Sequence, residues 1–329
     1  MSTTRLTDVI EPAVFTQYII ENAVTKTRLF ESGLIVPNEV MNSQLKAGAH
    51  SFNTPFWRDL GDDEANTTND DPDDFAVPNK LNAAKQLVRK SFLHNSWSAA
   101  NLASELAGDS AITRIKDRAA AYWGRQAQKR LIASLNGIKA SNIANNDSDM
   151  VVDISAETGS ASQFTASSVI DAIGTLGDSL EDIVAIAMHS DIYLQALKND
   201  LIQTVADSQG QTIQTFRGLS VLVDDGLAKD ATGNYTTVLF GQGAFGYGIS
   251  EPTESAGTEI ENKPSAGRGA GVQILHSRVN MAIHPSGFTW NEGTLTGESP
   301  TIAELADASH WSRIAADRKS VQLAFLVTK

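Results

Sequence analysis

The amino-acid sequence predicts an α+β fold built from an extended N-terminal part, one long helix, and a mixed region of strands and short helices. Residues 110–137 show a continuous apolar stripe at helical spacing, and from residue 151 onward strand-like apolar runs alternate with short helical patterns. The first third of the chain carries little periodic apolar sequence. With 329 residues, 41% hydrophobic and 20% charged, the chain can bury a sizeable core as a globular protein.

The extended N-terminal part divides into a short helical stretch and a long hairpin. Residues 14–30 carry apolar side chains at helical spacing, and residues 33–37 predict a short strand that stops at Pro37. Residues 46–95 contain two extended arms around the run DLGDDEANTTNDDPDD, in which eight of sixteen residues are acidic. A hairpin with so little core is only marginally stable alone, so we expect it to lie on a partner surface.

The acidic run of this hairpin has two interpretations. It is either a solvated loop whose charges repel one another, or a cation site. A calcium-binding loop needs Asp or Asn at alternate positions, a Gly, and a Glu at a fixed distance, and the run does not match that pattern.

The helical region spans residues 97–138 and opens with two capping signals. Ser98 is a candidate cap for a helix that ends at Gly108, and Asp109 is a candidate cap for the long helix that follows. The apolar stripe of the long helix consists of Ile112, Ile115, Ala119, Tyr122, Trp123, Ala127, Leu131 and Leu135. The opposite face carries a basic row of Arg114, Lys116, Arg118, Arg125, Lys129 and Arg130. This row is a solvated face, or a contact with a neighbouring chain or with nucleic acid.

The region after residue 150 alternates between the two kinds of element. Apolar runs predict strands at 149–155, 183–189, 219–225, 235–241, 271–285 and 320–329. Helical patterns run from Thr165 or Ser167 to Leu180, from a Ser190 cap to Asp200, and briefly within 298–311.

Residues 241–246 read G-Q-G-A-F-G, which is the pattern of a dinucleotide-binding turn. A strand precedes it, but the residues after Gly246 are rich in Gly, Pro and Ser and show no helical periodicity. Without a helix N-terminus a pyrophosphate would lose its main set of N–H donors. We therefore predict that these glycines let the backbone bend or approach a neighbouring segment closely.

Other signals of chemistry are weak. His189, Ser190 and Asp191 are adjacent, whereas a catalytic triad is assembled from distant positions, so they predict a helix cap after a buried strand. The six histidines form no close metal-binding pair, cysteine is absent, and no apolar run is long enough to span a membrane. A net charge of −13 makes the chain a poor candidate for tight nucleic-acid binding. The sequence thus predicts no catalytic residue, cofactor or metal.

Seven stretches between residues 3 and 290, taken in order, resemble the major capsid proteins of tailed bacteriophages with the Hong Kong 97-type fold. They are TRLTDVIEPAVFTQYIIENA, NTPFWRDLGDD, SWSAANLASELAGD, AAAYWGRQAQKRLIASLNGI, ANNDSDMVVDIS, IVAIAMHSDIYLQAL, and VLVDDG with YTTVLFGQGAFGYG. The resemblance implies a structural protein, not an enzyme, that self-assembles into hexamers and pentamers. These would form the icosahedral shell of the virion around double-stranded DNA, after assembly in the host cytoplasm.

The resemblance also implies partners. A portal protein is expected, and because the arm-like sequence begins at once, scaffolding would be a separate protein or absent; a decoration protein is a further possible partner. An encapsulin-type nanocompartment shares this fold and is the alternative.

The family layout assigns a role to each part of the chain. It implies an N-terminal arm (1–45), an E-loop (46–95), a peripheral domain (96–150 and 270–292) with spine helix 110–137, an axial domain (151–269), and a C-terminal segment (293–329). Neighbouring subunits would then bury the apolar residues of the arm and loop. The residues expected at inter-subunit contacts are Phe15, Tyr18, Phe52, Phe56, Trp57, Arg58 and Arg89.

Overall fold

The computed structural model describes residue 29, residues 35–57, single positions between 64 and 75, and residues 83–206, 212–293 and 295–329. The strands are β1 (Ile35–Pro37), β2 (Ser51–Trp57), β3 (Ala83–Arg89), β4 (Ser91–Ala100), β5 (Val151–Asp153), β6 (Ile183–Met188), β7 (Gln203–Ala206), β8 (Thr212–Phe216), β9 (Leu219–Val223), β10 (Tyr235–Gly241), β11 (Phe245–Ser250), β12 (Thr258–Lys263), β13 (Val272–Pro285), β14 (Phe288–Trp290), β15 (Trp311–Arg313) and β16 (Leu323–Thr328). The α-helices are α1 (Glu39–Leu45), α2 (Asn101–Ala107), α3 (Ala111–Asn145), α4 (Ala166–Gly174), α5 (Ser190–Lys198) and α6 (Ile302–Leu305).

A five-stranded sheet is organised around β13, which is 14 residues long. One edge of β13 pairs antiparallel with β4, and the other pairs antiparallel with β12 and then β11, to which β1 adds in parallel. The long helix α3 lies against this sheet. The Trp123 indole Nε1 donates to Ser277 Oγ at 2.8 Å, and the ring of Tyr122 meets that of Trp97 edge-on at 5.1 Å. The predicted apolar stripe of α3 therefore does face a sheet.

A seven-stranded sheet holds the larger part of the core, in the order β5-β16-β10-β6-β9-β8-β7. Every residue of β10 and β16 is buried, and most of them are apolar; the buried polar residues are Thr236, Thr237 and Thr328. Because successive side chains alternate between the faces of a strand, Leu239 and Phe240 belong to different apolar clusters. The cluster of Phe240 includes Leu131 of α3, and that of Leu239 includes Val169 of α4 and Ile192 of α5.

The long helix runs past its predicted end. Its cap is Ser110, whose Oγ accepts from the backbone N–H of Thr113 at 3.4 Å, and its last residue is Asn145 instead of a residue near 137. Gly137 suggested a terminus, but it lies inside the helix, where it is buried against the C-terminal part of the chain. The prediction was wrong because a glycine can be selected for close packing as well as for ending a helix.

Several other helix boundaries also differ from the prediction. Ser98 lies within β4 and caps nothing, although α2 does end at Gly108, which has a left-handed φ of 66°. Helix α4 begins after Thr165 as predicted, but it ends at Gly174 and not at the predicted Leu180. Turns and a short 3-10 helix fill the segment between Gly174 and β6. The predicted helix at 14–30 falls outside the described residues except for Leu29, which is buried in the core.

The sheets divide the chain differently from the predicted 151–269 region. Strands β11 and β12 belong to the five-stranded sheet, whereas β16, near the C-terminus, pairs with both β5 and β10 in the seven-stranded sheet. Within the described part of the chain, none of the helices has the length and apolar character needed to cross a membrane.

Candidate inter-subunit contact site: the hairpin and its base

The hairpin predicted around residues 46–95 is present, and its two arms are β2 and β3. They pair antiparallel from Ser51 opposite Arg89 to Trp57 opposite Ala83, and neither pairs with any other strand that the structure describes. The described positions near the tip are exposed, and Phe75, with 81% of its surface accessible, is the most exposed large hydrophobic residue among them.

A small apolar cluster closes the base of the hairpin. Phe52 of β2 and Val88 of β3 pack with Met41 and Leu45 of α1 and with Ala282 of β13. Phe52 keeps only 7% of its surface exposed. The chain therefore buries Phe52 by itself, and its burial requires no neighbouring subunit.

Lys90, which follows β3, is buried at the same base. Its Nζ donates to the carbonyl oxygen of Ala47 at 2.7 Å and lies 6.0 Å from the centre of the Phe52 ring. Burial lowers the pKa of this lysine, because removal from water disfavours the charged form. The contact joins the two ends of the hairpin where they leave the body.

Arg89 fastens the hairpin to the C-terminal part of the chain. Its guanidinium donates to a Glu292 carboxylate oxygen at 2.8 Å and to the Glu298 carbonyl at 2.7 Å. Nearby, the backbone N–H of Leu87 donates to Thr289 Oγ1 at 3.0 Å. The side chain of Arg89 is only 10% exposed, so this arginine, like Phe52, has its partners within the same chain.

The structure describes two of the other five predicted contact residues. Phe56 and Trp57 lie on β2, where their backbones pair with Ala84 and Ala83. Phe15, Tyr18 and Arg58 lie outside the described residues.

Sequence reasoning missed the burial of Arg130 within its own subunit, because it placed this residue in a basic row that faces solvent, a neighbouring chain or nucleic acid. Arg130 is 7% exposed and donates to Ser91 Oγ at 3.1 Å and to the Pro300 carbonyl at 2.8 Å. Burial lowers its pKa to about 10. Its spacing offered a signal, because Arg130 stands three residues after buried Ala127 and four before buried Ser134.

The glycine-rich turn after β10 is followed by a strand, so the helix that a dinucleotide site needs is replaced by β11. The turn carries the chain from the seven-stranded to the five-stranded sheet. Gly243 has φ of 74°, and a Cβ on Gly241 would stand 2.5 Å from Gln322 Cβ. A Cβ on Gly248 would stand 2.9 Å from Asn42 Oδ1. The prediction of bending and close approach is confirmed.

The adjacent residues His189, Ser190 and Asp191 form a helix cap, as predicted, but the capping group is the histidine. Its Nδ1 accepts from the backbone N–H of Asp191 at 3.1 Å, and Ser190 is the first residue of α5. The hydroxyl of Tyr235 donates to the Asp191 carboxylate, and this bond raises the pKa of Tyr235 to about 12. These contacts attach α5 to β10.

Comparison with known proteins identifies the family. The profile of the Gp13-like family, described as major capsid protein 13-like, matches residues 63–322. The major capsid protein of Bacillus phage SPP1 is 33% identical over 327 residues, which cover 97% of this chain and 96% of that protein. The chain belongs to the Gp13-like major capsid protein family.

Solved structures agree with the Gp13-like assignment at the level of the fold. The capsid protein of Ralstonia phage GP4 aligns with a TM-score of 0.59 and 10% identity, covering 96% of this chain and 95% of that one. The encapsulin of the holo-SrpI complex from Synechococcus elongatus aligns with a TM-score of 0.54 and 11% identity, covering 95% and 91%. The predicted Hong Kong 97-type fold is confirmed.

Membership of the Gp13-like family confirms the predicted function as well. The chain is a major capsid protein of a tailed phage, and its place is the shell of the virion. It belongs to a family of structural proteins, which assemble with copies of themselves.

Proposed function

We propose that this capsid protein assembles into hexamers and pentamers that close into an icosahedral shell around double-stranded DNA. Family membership supports a shell. The observation that carries the assembly mechanism is the hairpin. Among the described strands β2 and β3 pair only with each other, and the described positions between them are exposed. The subunit itself holds the hairpin at its base. A two-stranded sheet gains little stability alone, so a neighbouring subunit is the surface that the far end of the hairpin lies on.

We divide the proposed contact residues by their surroundings. Phe15, Tyr18, Phe56, Trp57 and Arg58 remain proposed contacts with neighbouring subunits. Phe52 and Arg89 instead hold the hairpin to its own subunit, because both have partners within the chain. Phe75, which is 81% exposed at the tip, joins the proposed contact surface.

The proposed domains follow the sheets. The axial domain corresponds to the seven-stranded sheet, formed by residues 151–241 with β16. The peripheral domain corresponds to α3 with the five-stranded sheet. Helix α1, inside the predicted arm, packs on this second sheet, where Asn42 Oδ1 accepts from the backbone N–H of Ile249 at 3.1 Å. We therefore propose that the arm proper ends before β1.

The proposed partners beyond other copies are a portal protein, a separate scaffolding or decoration protein, and the genome. A net charge of −13 supports an inner wall that does not hold DNA tightly. DNA in the purified shells would support this function. Shells that contain a cargo enzyme and no DNA would instead favour the encapsulin alternative.

The experiment deletes residues 60–76 and examines the product by electron microscopy. We expect a folded subunit that fails to close shells, because the deletion removes the tip and leaves β2 and β3 intact. A matched variant replaces the same residues with a Gly-Ser sequence of equal length, and it should fail in the same way. Circular dichroism of the subunits controls for folding. Normal shells from either folded variant would show that the tip makes no essential contact.

A further inference from the structure

The long helix α3 concentrates positive charge in a chain that is acidic as a whole. It carries seven Lys and Arg residues and one acidic residue, Asp117, whereas the chain has a net charge of −13. Arg114, Arg118, Arg125 and Lys129 follow one another at intervals of four, seven and four residues. Because a helix turns about 100° and rises about 1.5 Å per residue, these four lie within about 60° of one another and extend over about 22 Å. We call them the basic stripe.

The basic stripe points away from the sheet on which α3 packs. Trp123, whose indole donates to a serine hydroxyl of β13, lies about 160° around the helix from Arg125. Arg114 and Lys129 are exposed, and Arg118 and Arg125 are half-buried. The stripe is therefore open on the surface of the subunit.

The described residues neutralise little of this charge. Arg114 pairs with Asp109 at 2.9 Å, but both side chains are partly exposed to solvent, and such a pair is weak. No carboxylate in the described ranges lies within ion-pair distance of Arg125 or Lys129. The stripe is thus available to an anionic partner.

The apolar base of the hairpin lies on the other side of the same sheet. It contacts Ala282 of β13, whereas α3 contacts Ser277. Successive side chains of a strand point to opposite faces, so these two residues face opposite ways. The hairpin carries eight acidic residues at 59–74. Its side of the subunit therefore repels a polyanion, and the side of the basic stripe attracts one.

We propose that the basic stripe binds the phosphate backbone of the enclosed double-stranded DNA, without regard to base sequence. This step rests on the proposed function, which puts the genome inside the shell. Contacts of Lys and Arg with phosphate carry no sequence information. Four such contacts per subunit are few and are screened by salt, which agrees with the net charge of −13.

A second polyanion is available in the shell, namely the acidic run 59–74 of a neighbouring hairpin. In a closed shell of equivalent copies every subunit turns the same side inward. The base of each hairpin would then lie across the sheet from the stripes of its neighbours as well. This geometry favours DNA as the partner of the stripe, and the experiments below separate the two.

The first test measures binding of the full-length, unassembled subunit to a fluorescent 30-base-pair duplex by anisotropy. Four phosphate contacts give a slope of about −3.6 for log K against log[NaCl]. The affinity should therefore fall about 150-fold between 50 and 200 mM NaCl. A duplex that does not bind at 50 mM NaCl, or whose binding ignores salt, would overturn the proposal.

Variants assign the binding to the stripe. The double variant Arg125→Gln, Lys129→Gln removes two contacts, so its affinity should fall only about 12-fold over the same range and should be lower at 50 mM. Lys116→Gln is the matched control, because Lys116 is exposed on the opposite side of α3, and it should behave like the wild type. Circular dichroism controls for folding. Equal effects of the double variant and the control would contradict the assignment.

The second test uses assembled wild-type shells and lysine acetylation followed by mass spectrometry. Lys129 should react at least threefold faster after the DNA has been released, whereas Lys116 should react equally in filled and emptied shells. Equal reactivity of Lys129 in both would overturn the proposal. Protection of Lys129 in both, with displacement of the duplex from the subunit by a peptide of residues 59–74, would assign the stripe to the neighbouring hairpin instead.

The two levels of the argument fail separately. DNA-filled shells in which Lys129 is unprotected would refute the role of the stripe and leave the proposed function intact. Shells that never contain DNA would refute the proposed function, and the duplex measurement on the subunit would still decide whether the stripe binds DNA.

Discussion

Gly137→Ala is expected to destabilise the subunit even though alanine is the better helix former. Gly137 lies inside α3 and is buried. A Cβ at this position would overlap the carbonyl oxygen of Leu305 and would stand 2.6 Å from Nε1 and 2.8 Å from Cδ1 of Trp311. The helix and the C-terminal part approach each other so closely here that only a hydrogen atom fits between them.

The loss of unfolding free energy in Gly137→Ala can be estimated from the groups that the added methyl would displace. Trp311 Nε1 donates to the Leu305 carbonyl at 2.8 Å, and the Trp311 ring, 1% exposed, crosses that of Trp290 at 5.0 Å. Overpacking costs about 1–3 kcal/mol, and disturbing a buried hydrogen bond costs about 1–3 kcal/mol. The higher helix propensity of alanine returns about 1 kcal/mol. The net loss should therefore be about 3 kcal/mol.

The assay is urea unfolding of the unassembled subunit, followed by far-ultraviolet circular dichroism. Gly174→Ala is the matched control, because Gly174 is the last residue of α4 and a Cβ there would meet open space. The control should change the free energy of unfolding by no more than about 1 kcal/mol, towards higher stability. If Gly137→Ala is as stable as the wild type, the packing between α3 and Trp311 is not rigid and the reasoning fails.

Two further substitutions test buried polar groups by the same assay. Burial lowers the pKa of His284 from 6.5 to about 4, so stability is complete above pH 6.5 and falls by about 3 kcal/mol as the pH drops to 4. His284→Gln should flatten this pH dependence. The control His50→Gln changes an exposed side chain and should preserve it. An unchanged slope in His284→Gln would contradict the assignment. Arg318→Lys should lower the free energy of unfolding by about 2–4 kcal/mol, because the Arg318 guanidinium donates to three backbone carbonyls and a threonine hydroxyl. The control Arg217→Lys, at an exposed site, should change it very little. Equal losses in the two variants would refute the structural role of Arg318.

The sequence predicted those elements whose local pattern and final surroundings agree. Strands β10 and β16 are buried at every position and are apolar except for their threonines. The arms of the hairpin were recognisable because an acidic run separates two extended segments. Gly108 ends a helix with a left-handed φ of 66°, which is a local requirement.

Elements decided by distant contacts could not be predicted in the same way. Gly137 resembles a helix terminus until Trp311, far along the sequence, is placed beside it. Arg130 belongs to a basic row in sequence, but β4 and the Pro300 loop cover it in the fold. Phe52 appeared to need a second chain because the helix that carries Met41 had not been predicted. Each error arose where tertiary packing outweighed the local pattern.

The C-terminal part of the chain completes the seven-stranded sheet and contacts both the long helix and the hairpin base. Strand β16 lies between β5 and β10 in the seven-stranded sheet, Trp311 packs against α3, and Glu292 holds Arg89 at the hairpin base. A central strand cannot be omitted without exposing the buried edges of both neighbours. Truncation before β16 would therefore expose the facing edges of β5 and β10 and destabilise the seven-stranded sheet.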